Sequence, residues 1–134
     1  MLLNVDFDGV LVPNTHELSL FEKCRREGLG FEDVSPIWNW YEERISSNPL
    51  PLNHRLLNWL SMQKDNGHTI RLWTNRMYTI AHETIHNLDN WKSLFDSFQF
   101  HSGRKLQSRV EGVVIDNDLK YLSCGEIGIH YGRR

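Results

Sequence analysis

The chain has 134 residues, 40% of them hydrophobic, with 15 basic against 17 acidic side chains and a formal charge of −2. That length suits one domain, 1–134, with a real core but little to spare for an α/β enzyme. The near-balance of charge excludes a global basic field of the kind that draws nucleic acid or an anionic membrane. No apolar run approaches the roughly 18 residues of a membrane span. Cys24 and Cys124 lie far apart and match no metal-ligand spacing, which fits reduced thiols in a cytoplasmic protein. The first residues run straight into Asp6 and are not expected to be a signal peptide.

Leu2-Leu3-Asn4-Val5 is a short, mostly apolar run suited to a buried strand. Asp6 and Asp8 follow at a spacing of two, so an extended backbone would aim both carboxylates the same way. Gly9 then allows a sharp turn. Two like charges at a buried strand end are costly without a cation beside them, so this stretch asks for a metal.

Asn14 can cap a helix with Glu17 as in a capping box, Leu18, Phe21 and Cys24 giving its apolar face, and Gly28 ending it. Ser35 and Pro36 open a second helix in which Ile37, Trp40, Tyr41 and Ile45 repeat with helical spacing. Asn48-Pro49-Leu50-Pro51 breaks that pattern as a linker. Asn53 caps a third helix with Leu56, Leu57 and Leu60 on one face, stopped by Asn66-Gly67. Thr69 to Trp73 reads as a strand leading into Thr74-Asn75-Arg76. A helix is expected from about Tyr78 to Asn90, with Ala81, Ile85 and Leu88 on a stripe. Ser97 to Phe100 is a short strand, and His101 to Lys105 a loop. Val113-Val114-Ile115 is a buried strand ending at Asp116. A helical turn near Leu119 to Ser123 and a strand from Ile127 to Tyr131 finish the chain.

Strand–helix alternation argues a parallel sheet with helices on its faces, and ligands of such sheets sit beyond the carboxyl ends of the strands. Asp6, Thr74 and Asp116 each end an apolar strand, so all three should meet at that one edge.

Asp6-Phe7-Asp8-Gly9 resembles motif I of the haloacid dehalogenase-like hydrolase superfamily, an apolar strand followed by Asp-x-Asp-Gly. Leu72-Trp73-Thr74 is similar to its motif II, and Val113-Val114-Ile115-Asp116 to its motif IV. The resemblance implies a Rossmann-like three-layer α/β/α fold and a Mg²⁺-dependent phosphatase. It makes Asp6 the nucleophile and Asp8 the general acid and base. Thr74, beside Asn75, would bind phosphate oxygen, and Asp6, Asp8 and Asp116 would hold Mg²⁺. Motif III is a Lys or Arg that balances negative charge; order favours Lys105, with Arg104 and Lys92 as alternatives. The secondary metal ligand stays open between Asn117 and Asp118. An Asp at position 8 points toward phosphatases and phosphomutases rather than transport ATPases. Residues 14–52 fall where the superfamily inserts its caps and are long enough for a small helical lid. The substrate would be a phosphorylated small molecule, such as a nucleotide or sugar phosphate, or a nucleic-acid terminus.

Two other classes are weighed beside this. His82-Glu83-Thr84-Ile85-His86 is an H-E-x-x-H string that would put both histidines on one helix face for zinc, with Glu83 as base. Surface histidines on an amphipathic helix are its plainer reading. A phosphoryl-binding module without turnover is the other class. Trp38, Trp40 and, more weakly, His16 could touch substrate, although helical aromatic stripes more often pack in a core.

Overall fold

The protein is described from a computed structural model over residues 1–12 and 52–131. Strands β1 (Leu2–Val5), β2 (Thr69–Thr74), β3 (Ser97–Phe100), β4 (Val113–Asp116) and β5 (Ile127–His130) alternate with three α-helices. These are α1 (His54–Asp65), α2 (Ala81–Asn87) and α3 (Leu119–Leu122). Short 3-10 turns occupy Tyr78–Ile80, Asp89–Leu94 and Lys105–Gln107. Every strand pairing is parallel, and the order across the sheet is β3-β2-β1-β4-β5. The chain is therefore α/β with a parallel sheet, as the alternation of apolar runs and helical patterns requires. The sheet grows from β1 in both directions, with β2 and β3 on one side and β4 and β5 on the other. Between β1 and β4 the order reverses, which in open parallel sheets is where ligands bind.

Among the described residues the two faces of the sheet are unequally covered. Leu3, Val5, Ile70, Leu72, Val113 and Ile115 turn to one face and meet Leu56, Leu57 and Leu60 of α1, with Leu88, Leu94 and Phe95 closing the core. The opposite face carries a smaller cluster of Trp73, Val114 and Cys124 against Val110, Tyr121 and Leu122. Asn4 lies fully buried on β1 and is accommodated by three bonds. Its Nδ2 donates to the carbonyls of Glu111 and Val113, and its Oδ1 accepts from Arg71 Nε at 2.8 Å. A buried amide satisfied this way avoids the desolvation cost of an unmade bond. The start of β4 runs close beneath the start of β1. Gly112, at φ +78, sits where a Cβ would meet the Leu2 carbonyl oxygen.

Helix α1 forms where its pattern places it. Asn53 Oδ1 accepts from Leu56 N–H at 3.1 Å, and the chain turns away through Asn66 and Gly67 at φ +94. The single helix expected from Tyr78 to Asn90 is instead three pieces: a 3-10 turn, α2, and the 3-10 stretch Asp89–Leu94. Asp89 stands at φ +52, which an α-helix does not accommodate, so α2 ends before it and the chain continues as a 3-10 stretch, while Thr84 is buried within α2. The helices expected around 14–28 and 35–48, with His16, Cys24, Trp38 and Trp40, lie outside the described residues, as does the proposed lid apart from Leu52. Among the described residues no helix is long and apolar enough to cross a membrane.

Candidate functional site

The register of the sheet sets the site. Val5 lies beside Ile115 of β4 and beside Leu72 of β2. One residue further, the same register brings Asp6 abreast of Asp116 on one side and Trp73 on the other. The Asp6 N–H continues the ladder by donating to the Ile115 carbonyl at 3.0 Å. Residues abreast in a sheet share a face, so two carboxylates and an indole line up at the carboxyl edge. Lys105 is laid across all three. Its Nζ is 3.0 Å from Asp6 Oδ1, 2.6 Å from Asp116 Oδ2 and 4.2 Å from the Trp73 ring centroid. The ring of Tyr121 stands 4.9 Å from the same nitrogen. The Trp73 indole N–H has no partner among the described residues, so the ring serves this site through its face.

Burial makes these charges matter. Lys105 and Asp116 are shut away from solvent, and the Asp6 side chain keeps only 11% of its surface. Desolvation pushes the Asp6 carboxyl up to about 8, Lys105 opposes the rise, and Asp116 and Asp8 add to it. For Lys105, burial alone would lower its basicity, but Asp6 and Asp116 together outweigh that and raise it. Lys105 therefore remains an ammonium at neutral pH, and the surplus of negative charge is felt at Asp6.

Asp8 belongs to a second ion pair. Both of its oxygens accept from Arg76, Oδ2 from Nε at 2.9 Å and Oδ1 from Nη2 at 2.8 Å, the planar fork-to-fork geometry that suits guanidinium and carboxylate. Arg76 is itself buried. Its Nη1 donates to Thr84 Oγ1 at 3.1 Å, Thr84 donates on to the Ile80 carbonyl at 2.8 Å, and the guanidinium stacks 4.2 Å above the Phe7 ring. The tight turn after β1 that delivers Asp8 has Gly9 at φ +83 and closes with a Gly9 N–H to Val12 carbonyl bond of 2.8 Å.

Thr74 ends β2, and its Oγ1 accepts the Arg76 backbone N–H at 3.1 Å, so the hydroxyl shapes the turn that carries Arg76. Asn75 has both ends of its amide engaged: Oδ1 accepts the Lys105 backbone N–H at 2.8 Å, and Nδ2 donates to the Tyr121 hydroxyl at 2.6 Å. Of the three cations considered for charge balance, Lys105 reaches the carboxylates, while Arg104 and Lys92 are exposed. Asp118 donates its backbone N–H to Asp116 Oδ1 at 2.9 Å, and its own carboxylate caps α3 through Lys120 N–H. The ring of His82 stacks on that of His86, 6.3 Å away on exposed α2.

Among the described residues no group of three or more His, Cys, Asp or Glu side chains is gathered closely enough to hold a metal ion. The zinc string thus has no third ligand there, and the Asp8 side chain faces Arg76 instead of joining Asp6 and Asp116. The donors that remain are two buried carboxylates abreast, one of them raised in pKa chiefly by its burial. Such a hard, all-oxygen pair fits Mg²⁺, which takes one or two carboxylates and keeps several waters.

Sequence reading had assigned no role to Arg76, Trp73 or Tyr121. Comparison with known proteins adds nothing to these residues: no family model, curated protein or solved structure matches the chain.

Proposed function

We propose that the chain is a Mg²⁺-dependent phosphomonoesterase of the haloacid dehalogenase-like kind, acting through an aspartyl-phosphate. The observation that carries this reading is the Lys105 ammonium spanning Asp6 and Asp116 at the switch point of a parallel sheet. A perturbed, partly accessible carboxylate such as Asp6 beside a fixed cation is what nucleophilic phosphoryl transfer needs. The strand order and the two apolar clusters on opposite sheet faces also support a three-layer α/β/α arrangement.

On this reading Asp6 attacks phosphorus as the ester P–O bond breaks, and the leaving oxygen takes a proton from Asp8. Water then attacks the aspartyl-phosphate, gives its proton to Asp8 and frees Asp6. Lys105 neutralises charge shared between Asp6 and the transferred oxygens, and the Thr74 hydroxyl lies at the strand end where a phosphate oxygen would rest. Mg²⁺, held by Asp6 and Asp116 with water, would supply further charge neutralisation. Asp8 must leave its two-pronged bond to Arg76 before it can serve, because that bond engages both of its oxygens. That same pair favours a second reading, phosphoryl binding without turnover.

A panel of phosphomonoesters with Mg²⁺ separates the two. Turnover that Asp6→Asn lowers by at least about a thousandfold supports the covalent mechanism. Variant activity within about tenfold of the parent would sink it. Saturable phosphate binding with no turnover in the parent would favour the binding module.

A further inference from the structure

We propose that Tyr121 is a positioning residue for Lys105, holding its ammonium over Asp6 and Asp116 from the short helix that follows β4. The inference rests on the preceding section only where it speaks of turnover; its geometric content stands apart.

Lys105 reaches the site by an unusually brief route. Only 11 residues separate it from Asp116, and it starts a three-residue 3-10 turn whose N-terminus has no side-chain cap. A lysine side chain is long and rich in rotamers, so something must fix both its root and its head. Tyr121 does both. Its hydroxyl accepts from Asn75 Nδ2 at 2.6 Å, and Asn75 Oδ1 accepts the Lys105 N–H at 2.8 Å, which ties down the root. Its ring lies 4.9 Å from Lys105 Nζ and meets the Trp73 ring edge-on, at 6.4 Å and 87°. Two aromatic faces at right angles thus wall the ammonium on the sides the carboxylates leave open. Two of its three N–H groups go to Asp6 and Asp116, and the third is left toward the rings.

Helix α3 is registered to the same site from its own end. The Asp118 N–H holds the second oxygen of Asp116, and the Asp118 side chain caps the helix that presents Tyr121. One turn of chain therefore sets the Asp116 carboxylate and the lysine facing it. This gives a chain with little room between Lys105 and Asp116 a substitute for a longer supporting element.

The test uses the full chain, with Tyr121→Phe, which keeps the ring, and Tyr121→Leu, which removes it. The first readout is NMR of lysine side-chain ammonium groups, with the Lys105 signal assigned by its loss in Lys105→Met. In the parent, that signal should be protected from water exchange and shifted upfield by the two rings. Tyr121→Phe should retain the upfield shift with faster exchange, and Tyr121→Leu should lose both. The second readout is kinetics on a small phosphomonoester with Mg²⁺. Tyr121→Leu should lower kcat by about ten- to hundredfold with KM within about twofold, as misplacement of a charged group does. Tyr121→Phe should fall between. An unchanged ammonium signal in both variants overturns the proposal, as does a parallel loss of kcat and KM with no spectral change. If Tyr121→Leu does not fold, the exchange rate in Tyr121→Phe decides alone. The expected NMR pattern in a parent without phosphatase activity supports the positioning role and overturns the catalytic reading.

Discussion

Lys105→Met is the most direct probe of the charge arrangement, because methionine keeps an unbranched stem for packing on Trp73 and removes only the ammonium. The parent loses two buried charge-assisted hydrogen bonds, at 3.0 and 2.6 Å. Each is worth about 1.5–3 kcal/mol net, so roughly 3–6 kcal/mol is at stake. Breaking a buried ion pair by removing one partner gives a similar figure, about 3–5 kcal/mol. For a chain of this size that is a fall in Tm of roughly 10–20 °C. The loss should depend on pH in a definite direction. Lys105 holds the Asp6 carboxyl down against burial, so without it Asp6 rises further above its ordinary value of 3.8. A carboxyl whose folded pKa is raised penalises the folded state increasingly as pH climbs from its unfolded pKa to its folded one. Parent and variant both hold Asp6 protonated in the folded state below about 8, so the further rise is felt only above that, and metal-free urea and thermal unfolding at pH 7 and pH 9.5, followed by circular dichroism, should show the larger loss at pH 9.5. A variant within about 1 kcal/mol of the parent at pH 7 would refute the reasoning, as would a loss at pH 9.5 no larger than that at pH 7.

Mg²⁺ should stabilise the parent more at pH 8 than at pH 5. Asp6, raised to about 8, holds a proton in the folded state that a cation must displace at the lower pH; a thermal shift that is larger at pH 5 would contradict this. Gly112→Ala should cost about 2–4 kcal/mol, because φ +78 is strained for alanine and its Cβ would meet the Leu2 carbonyl. Gly67→Ala, at φ +94 with open space around it, should cost only about 1–2 kcal/mol from the same strain; equal losses would show that β1 gives way freely.

What could be read from the sequence was whatever depends on short range. Apolar runs ending in Asp6, Thr74 and Asp116 announce parallel strands whose ends share an edge, because a parallel sheet aligns all carboxyl ends. Lys105 could be chosen by order alone. The cation on Asp8 could not. Arg76 sits two residues past Thr74 in a turn, its partner is 68 positions away, and nothing local distinguishes it from a solvated arginine. Trp73 reads as an apolar strand residue, and only the register with Asp6 shows that its ring is the wall of the site. Tyr121 lies in a helix too short to register as more than a turn. The expected helix from Tyr78 to Asn90 ends early for a different reason: Asp89 takes φ +52 just past Asn87, a backbone choice that no periodicity encodes.

The two ion pairs at the sheet edge differ in a way that bears on what the site can take. Arg76 meets Asp8 with two parallel bonds, one to each oxygen. Lys105 is a single point charge divided between two carboxylates, reaching one oxygen of each. Among the described residues three carboxylates stand against two fixed cations, so once Asp6 has lost its proton, above about pH 8, one negative charge is left on the Asp6–Asp116 side. A divalent cation there would turn the balance to one positive charge, and a phosphate dianion would return it to one negative. A bound monovalent cation would bring the site to neutrality and leave no electrostatic reason for an anion to follow. The divided lysine is thus better matched to a divalent cation and a phosphoryl group arriving together than to either alone.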